Sequence, residues 1–310
     1  MVAKGSTGSA LDSAYELPTA TEDLHTLSRR EDQLERLTQA CVDELISAFG
    51  LGGVRRGRVL MEAISQVPAR RLARQILTYD TIVGESGLRK GGAWALERLS
   101  RDTRVEGQEN VPGEGPLLLV CNHPGLADAV ALFAATPRDD LRVIAADRPL
   151  LDALPNTSRH LLTVAEPSAG RPGVARAAAR HLRGGGAVLT FPGGRIEPDP
   201  AILPGAVEAL AHWSSSADLF VRLTPGLTIV PVVVSGVISP SALRNPLIHL
   251  RRRRRDREWL AATFQLLIPA LRNVDAWVDF GRPIHAEQGK PVGEAVIEET
   301  RRLMESRETV

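Results

Sequence analysis

Beyond Val105, short apolar runs alternate with stretches of helical periodicity, and that alternation restricts the chain to an α/β arrangement. Pro116–Cys121, Leu141–Ala145, Leu161–Val164, Ala187–Phe191, Thr228–Val234 and Ala276–Phe280 read as strands. Leu126–Ala135, Val174–Leu182 and Pro204–Ser214 read as helices between them. The expected fold class is α/β, a mixed and largely parallel sheet flanked by helices. A hydrophobic share of 43% over 310 residues supplies enough apolar surface for a substantial core.

The part ahead of this alternation has a different rhythm. From Glu31 to Ser100 apolar residues recur at helical spacing, as in Leu34, Leu37, Cys41, Leu45, Ile46 and Phe49. Gly50, Gly52 and Gly53 punctuate the first run, and further helices are expected through Val59–Ile64, Arg71–Ile82 and Gly92–Leu99, with breaks at the glycines 84, 87, 91 and 92. The expected organisation is a mobile tail over residues 1–25, a helical extension over 26–104 and an α/β domain over 105–310. The first residues lack the apolar segment of a secretory signal, and no window holds the ~18 consecutive apolar residues of a spanning helix. Cys41 and Cys121 lack the spacing of a zinc site or a disulfide scaffold, which fits a reducing, cytoplasmic setting. The net charge of +1 offers no global reason to bind nucleic acid.

The chemistry concentrates where the Leu117–Cys121 run meets Asn122, His123, Pro124 and, five residues beyond the histidine, Asp128. On one continuous helix a separation of five rotates two side chains about 140° apart, so they would not meet. Pro124 removes that obstacle by biasing His123 toward extended backbone and by suiting the first turn of a helix. His123 can then stand at a strand end while Asp128 faces it from the first helical turn. A carboxylate fixes the tautomer of such a histidine and favours its imidazolium, which suits a general base. A strand-end histidine that merely caps the next helix is the alternative reading of the spacing. Position after a buried strand, where α/β sheets bind their ligands, favours the functional one.

Asn122-His123, four residues and Asp128 resemble the first motif of the glycerolipid acyltransferases, the 1-acylglycerol-3-phosphate and lysophospholipid acyltransferase group. Phe191, Pro192, Gly193, Gly194 and Arg195 resemble the third motif, usually Phe-Pro-Glu-Gly-Thr-Arg. Here Gly193 stands where the glutamate is usual, the arginine comes one residue early, and Glu197 is the candidate substitute after a register change. Pro231, inside the apolar run Ile229–Gly236, resembles the fourth motif. Ala146–Leu151 and Val278–Ile284 resemble other family segments, whereas the second motif is poorly matched at Leu162–Glu166. The resemblance spans about residues 105–285.

The resemblance implies transfer of a fatty acyl group from acyl-CoA or acyl carrier protein to a hydroxyl of a lysophospholipid, glycerol phosphate or related acceptor, with His123 as base oriented by Asp128. It calls for no metal and no redox cofactor. Asn122, Phe191, Pro192, Gly193, Gly194, Arg195 and Pro231 become the expected substrate-binding residues. A glycine-rich turn with an arginine fork can hold a phosphate, and backbone amides there could stabilise an oxyanion by ~3–4 kcal/mol per donor. Cys121, two residues before His123, raises a thiol nucleophile as an alternative, although a cysteine in an apolar strand is more often core.

Arg251, Arg252, Arg253, Arg254 and Arg255 form a basic block followed by Trp259, Leu260 and Phe264. Such a cluster beside an aromatic-bearing amphipathic helix suits an anionic membrane surface, where each charge contributes about 1 kcal/mol. A solvated loop with a helix packed on the core is the alternative. Nucleic-acid binding is disfavoured by balanced charge, 4% aromatic content and the lack of a recognised motif. The expected localisation is cytoplasmic and peripheral on the membrane. Two further readings stay open, a thioesterase or lipid hydrolase in which water replaces the acceptor, and a non-catalytic lipid-binding protein of the same fold.

Overall fold

A computed structural model describes residues 20–53, 57–164, 171–287 and 290–308. Residues 1–19 of the expected tail lie outside this set, and residues 20–25 are already helical, in α1 (Ala20–Ala48).

The described residues form an eight-stranded sheet. Its strands are β1 (Asp102–Glu106), β2 (Leu117–Cys121), β3 (Arg142–Ala146), β4 (Leu161–Val164), β5 (Ala187–Thr190), β6 (Thr228–Ser235), β7 (Asp275–Phe280) and β8 (Ile284–His285). The order is β1-β7-β6-β2-β5-β3-β4, with β8 also pairing β6. From β6 through β4 all neighbours are parallel, while β7 and β8 run antiparallel to β6. The sheet is therefore mixed and mostly parallel, as the alternation required. β1 and β8 had no counterpart in the sequence reading. β1 is a mostly exposed, charged edge with the sequence Asp-Thr-Arg-Val-Glu, and β8 spans two residues, so neither leaves an apolar run.

Burial on both faces explains why β2 is continuously apolar. Leu117, Leu119 and Cys121 point into a layer with α2 (Arg58–Leu99) and α3 (Leu126–Ala135), beside Val230 and Val232 of β6. Leu118 and Val120 point the other way, toward Ala178 and Leu182 of the Arg171–Arg183 helix, Phe220 of the Ser216–Leu223 helix and Val296 of the Gly293–Glu308 helix. The strand period of two thus feeds two separate cores. Tyr79, Val83, Leu88 and Leu96 of α2 belong to the first of these, so the second half of the helical extension is built into the main core.

The glycines of α2 act differently from the expected breaks. Only Gly87 leaves helical geometry, with φ 84°, and α2 otherwise continues through 84, 91 and 92. At Gly92 a Cβ would lie 2.8 Å from the backbone N of Ala134 and the carbonyl O of Val130, and at Gly84 it would meet the Asn156 amide. These glycines are sites of close approach between α2 and its neighbours rather than helix stops. The expected Pro204–Ser214 helix is a short α-turn, Ala206–Ala209, followed by a 3₁₀ turn, Leu210–His212. No helix among the described residues is long and apolar enough to cross a membrane.

Candidate active site

β2, β5 and β6 run parallel, so their carboxyl ends lie at one edge of the sheet, where loops converge. His123 follows β2, and Pro124 and Gly125 lead into α3, whose first turn carries Asp128. His123 Nδ1 lies 2.6 Å from Asp128 Oδ2. The carboxylate also accepts the Gly125 N–H at 3.0 Å and the Ala129 N–H at 2.5 Å, and Asp128 is completely buried. The carboxylate thereby satisfies N–H donors at the start of α3, and they hold it toward the imidazole. About a third of the His123 side chain remains exposed, and its Nε2 makes no hydrogen bond within the described residues.

Burial works against a charged imidazole here, but the charge of Asp128, its hydrogen bond and the charge of Glu197 outweigh it. The net effect raises the His123 pKa above its ordinary value. The Phe191 ring lies against the histidine, with ring centroids 4.7 Å apart.

Phe191 to Gly194 form a turn after β5. The Gly194 N–H donates to the Phe191 carbonyl at 3.1 Å, and Gly194 has φ 61°, a left-handed conformation suited to glycine. Pro192 is buried, and its carbonyl accepts from the Ser214 N–H. The Gly193 N–H makes no hydrogen bond within the described residues. Arg195 is exposed, and its positive charge acts on the nearby Glu197 carboxylate.

Glu197, the candidate substitute for the motif's glutamate, and two groups that the sequence did not mark, Trp213 and Asp199, hold this edge together. Glu197 is buried, and its carboxylate accepts the His123 backbone N–H at 3.0 Å and Trp213 Nε1–H at 2.7 Å, while its own N–H donates to the His123 carbonyl at 2.8 Å. Burial pushes its pKa up. Asp199, fully buried, accepts the N–H groups of Gly236, Val237, Ile238 and Ala201, tying the loop after β5 to the end of β6. No local pattern marks Trp213 or Asp199, because their partners are remote in the chain.

Two expected substrate-binding residues have structural work instead. Asn122 is fully buried, and its amide both donates to the Val234 carbonyl, at 2.9 Å, and accepts the Val234 N–H, at 2.8 Å, extending the β2–β6 ladder by a side chain. Both ends of the amide are consumed. Pro231 is buried in the interior of β6, opposite Val120. It is tolerated in a central strand because its missing N–H faces the junction where β7 ends at Phe280 and β8 begins at Ile284, and its carbonyl takes the Gly281 N–H there.

Cys121 is fully buried, and burial, with Asp128 and Glu197 adding to it, pushes its thiol pKa far above the ordinary value. A thiolate nucleophile is disfavoured at this position. Replacing Cys121 with alanine is expected to leave turnover within about twofold of wild type, and iodoacetamide is expected not to inactivate the folded protein, both read by steady-state assay.

The arginine block divides. Arg251 is mostly buried, pairs with Asp256 at 3.0 Å, and lies so close to Gly50 that a Cβ there would stand 1.7 Å from Arg251 Nη1. Arg254 pairs with Glu258 at 2.9 Å and donates to the Pro204 carbonyl. Arg252, Arg253 and Arg255 are exposed, and Trp259 is half-buried against the cluster around Ala48 and Phe264.

The site is thus that of an α/β protein with a buried carboxylate holding a histidine at the carboxyl edge of a parallel sheet. Residues 102–235 match the family model for acyltransferases. Among solved structures the chain is similar to the 1-acyl-sn-glycerophosphate (LPA) acyltransferase PlsC from Thermotoga maritima, at 15% identity over 92% of this chain and 96% of that one, with a TM-score of 0.42. No curated protein matches the chain at a significant level.

Proposed function

We infer that the protein moves a fatty acyl group from the thioester of acyl-CoA or acyl carrier protein to a hydroxyl of a glycerolipid-type acceptor such as a lysophospholipid or glycerol phosphate. The observation that carries this reading is the 2.6 Å contact between His123 Nδ1 and the buried Asp128, which leaves Nε2 as the nitrogen able to take a proton. In the proposed reaction the acceptor O–H gives its proton to Nε2 as its oxygen attacks the thioester carbonyl. The tetrahedral intermediate collapses with cleavage of the C–S bond, and the leaving thiolate takes the proton from the imidazolium. An ester and a free thiol result, with no covalent acyl-enzyme. The unbonded Gly193 N–H is the candidate donor to the oxyanion, and the exposed Arg195 suits an anionic group of the acceptor.

The test is product analysis with labelled long-chain acyl-CoA and acyl carrier protein against a panel of lysophospholipids and glycerol phosphates. Label in an acylated acceptor supports transfer and names the substrate. Free fatty acid alone moves the reading to hydrolysis.

Attachment at the cytoplasmic face of a membrane belongs to the same proposal. Val59, Leu60, Ile64 and Val67 recur at helical spacing on α2 and are 81%, 65%, 68% and 78% exposed, an apolar row with no cover within the described chain. The contact of Arg251 with Gly50 brings the arginine block, with exposed Arg252, Arg253, Arg255 and Leu250, to the turn between α1 and α2. Apolar surface beside unpaired cations suits anionic headgroups. Replacing Arg252, Arg253 and Arg255 with glutamine is expected to reduce co-sedimentation with anionic vesicles at least about tenfold and to leave the weak binding to neutral vesicles unchanged. Undiminished binding would retire the membrane assignment.

A further inference from the structure

We propose that Glu197 is the positioning carboxylate for His123, and that Gly193 is glycine in order to admit it. Gly193 is not among the glycines with positive φ, so its backbone does not require glycine. What it lacks is room. A Cβ on residue 193 would stand 2.6 Å from Glu197 Oε1 and 2.8 Å from its Cδ. A side chain on residue 193 and the carboxylate of Glu197 therefore compete for one volume. In the motif that residues 191–195 resemble, the position of Gly193 usually holds a glutamate, so this chain delivers a carboxylate to that volume from four residues further along.

Residue 197 grips the His123 segment from both sides, with its carboxylate and with its backbone N–H. Glu197 accepts the His123 N–H and returns its own N–H to the His123 carbonyl, which fixes the backbone on which the imidazole turns. Trp213 holds the second carboxylate oxygen, so the group is oriented before substrate arrives. Burying a carboxylate is costly unless it is hydrogen-bonded, and at 5% exposure these contacts are its compensation. Glu197 needs no contact with substrate for this role. Loss of the carboxylate leaves only the backbone half of this clamp and lets His123 drift, and a misplacement of about 1 Å is enough to lower turnover ~10²-fold.

The kinetic test rests on the acyl-transfer reading. Glu197→Ala is expected to lower kcat by ~10²-fold with KM changed less than about threefold, because positioning of the base is lost while substrate contacts remain. Gly193→Glu alone is expected to impair the protein, since two carboxylates then crowd one site. The double variant Gly193→Glu/Glu197→Ala, which relocates the carboxylate, is expected to regain at least about tenfold of the lost kcat. A folded Glu197→Ala protein with wild-type kcat would overturn the proposal, as would a double variant that is inactive or unfolded.

A second readout does not depend on the reaction. The His123 ring resonances, assigned among the seven histidines by their absence in His123→Ala, are titrated by NMR. The charged groups acting on His123 are Asp128 and Glu197, and Arg195 acts on Glu197 in turn. The midpoint is expected to fall in Glu197→Ala and to return in the double variant. An unchanged midpoint in the single variant would sink the proposal even if no acyl transfer were ever observed. A wild type without transfer activity whose titrations behave as expected would instead remove the functional reading and leave the carboxylate exchange standing.

Discussion

Replacing His123 with alanine is expected to lower kcat for the proposed acyl transfer by about 10²–10⁴-fold while the protein keeps its native circular dichroism, the range for removal of a general base. In the proposed reaction the effect falls on kcat, because there the imidazole takes part in proton transfer rather than in holding substrate beforehand. Its Nδ1 is already committed to Asp128, so only Nε2 is available to the acceptor. The variant leaves the buried Asp128 without its imidazole, but the carboxylate retains the N–H groups of Gly125 and Ala129, and α3 keeps its start. The measurement is the rate of label transfer from thioester to acceptor, compared with thermal unfolding of the same preparation. Undiminished transfer in a folded His123→Ala protein would exclude the histidine as base and return the strand-end cap to consideration.

Asp128→Asn is expected to lower kcat by ~10³–10⁴-fold although the side chain keeps its size. With its oxygen in the place of Oδ1 the asparagine still accepts from Ala129, while the Gly125 N–H, which Oδ2 accepts in the wild type, loses its acceptor. Its amide N–H₂ then faces the histidine and favours the tautomer protonated at Nε2, the nitrogen that must accept a proton. The pH profile changes with it. In the wild type burial opposes the charged imidazole, but Asp128 and Glu197 together raise its pKa above the ordinary 6.5. A base must be neutral to act, so wild-type activity is lost as pH falls through that raised pKa, and the acid limb of kcat/KM lies above pH 6.5. In Asp128→Asn the largest raising influence is gone and burial remains, so the limb moves to lower pH on a much reduced plateau. A limb that stays in place would mean that another group titrates there.

The readable parts of the fold share a physical cause. Leu117–Cys121 is buried on both faces, and such a strand must be apolar at every position, so its burial is written locally. His123 and Asp128 were legible for a related reason. Strand end, Pro124 and first helical turn are consecutive in the chain, and their conformational preferences alone allow the two side chains to meet. The charged edge β1 left no such trace because an exposed strand is not constrained to be apolar. The arginine block was visible as composition, but its division into buried Arg251, ion-paired Arg254 and exposed Arg252, Arg253 and Arg255 depends on Gly50, Asp256, Glu258 and Pro204.

The amino-acid sequence by itself determined the α/β class, the mostly parallel sheet and the histidine–carboxylate pair, because each follows from periodicity or from neighbours within a few residues. Only the tertiary structure decided what the intervening residues do. Asn122 is committed to Val234, 112 positions away, and Glu197 to His123, 74 positions away, through hydrogen bonds that have no local signature. The same holds for Gly92 and Gly193, whose lack of a side chain is set by backbone from α3 in one case and by the Glu197 carboxylate in the other. Chain-local preference sets which elements form and where they start, whereas space and hydrogen-bond partners in a packed interior are fixed by whichever distant residue the fold brings alongside.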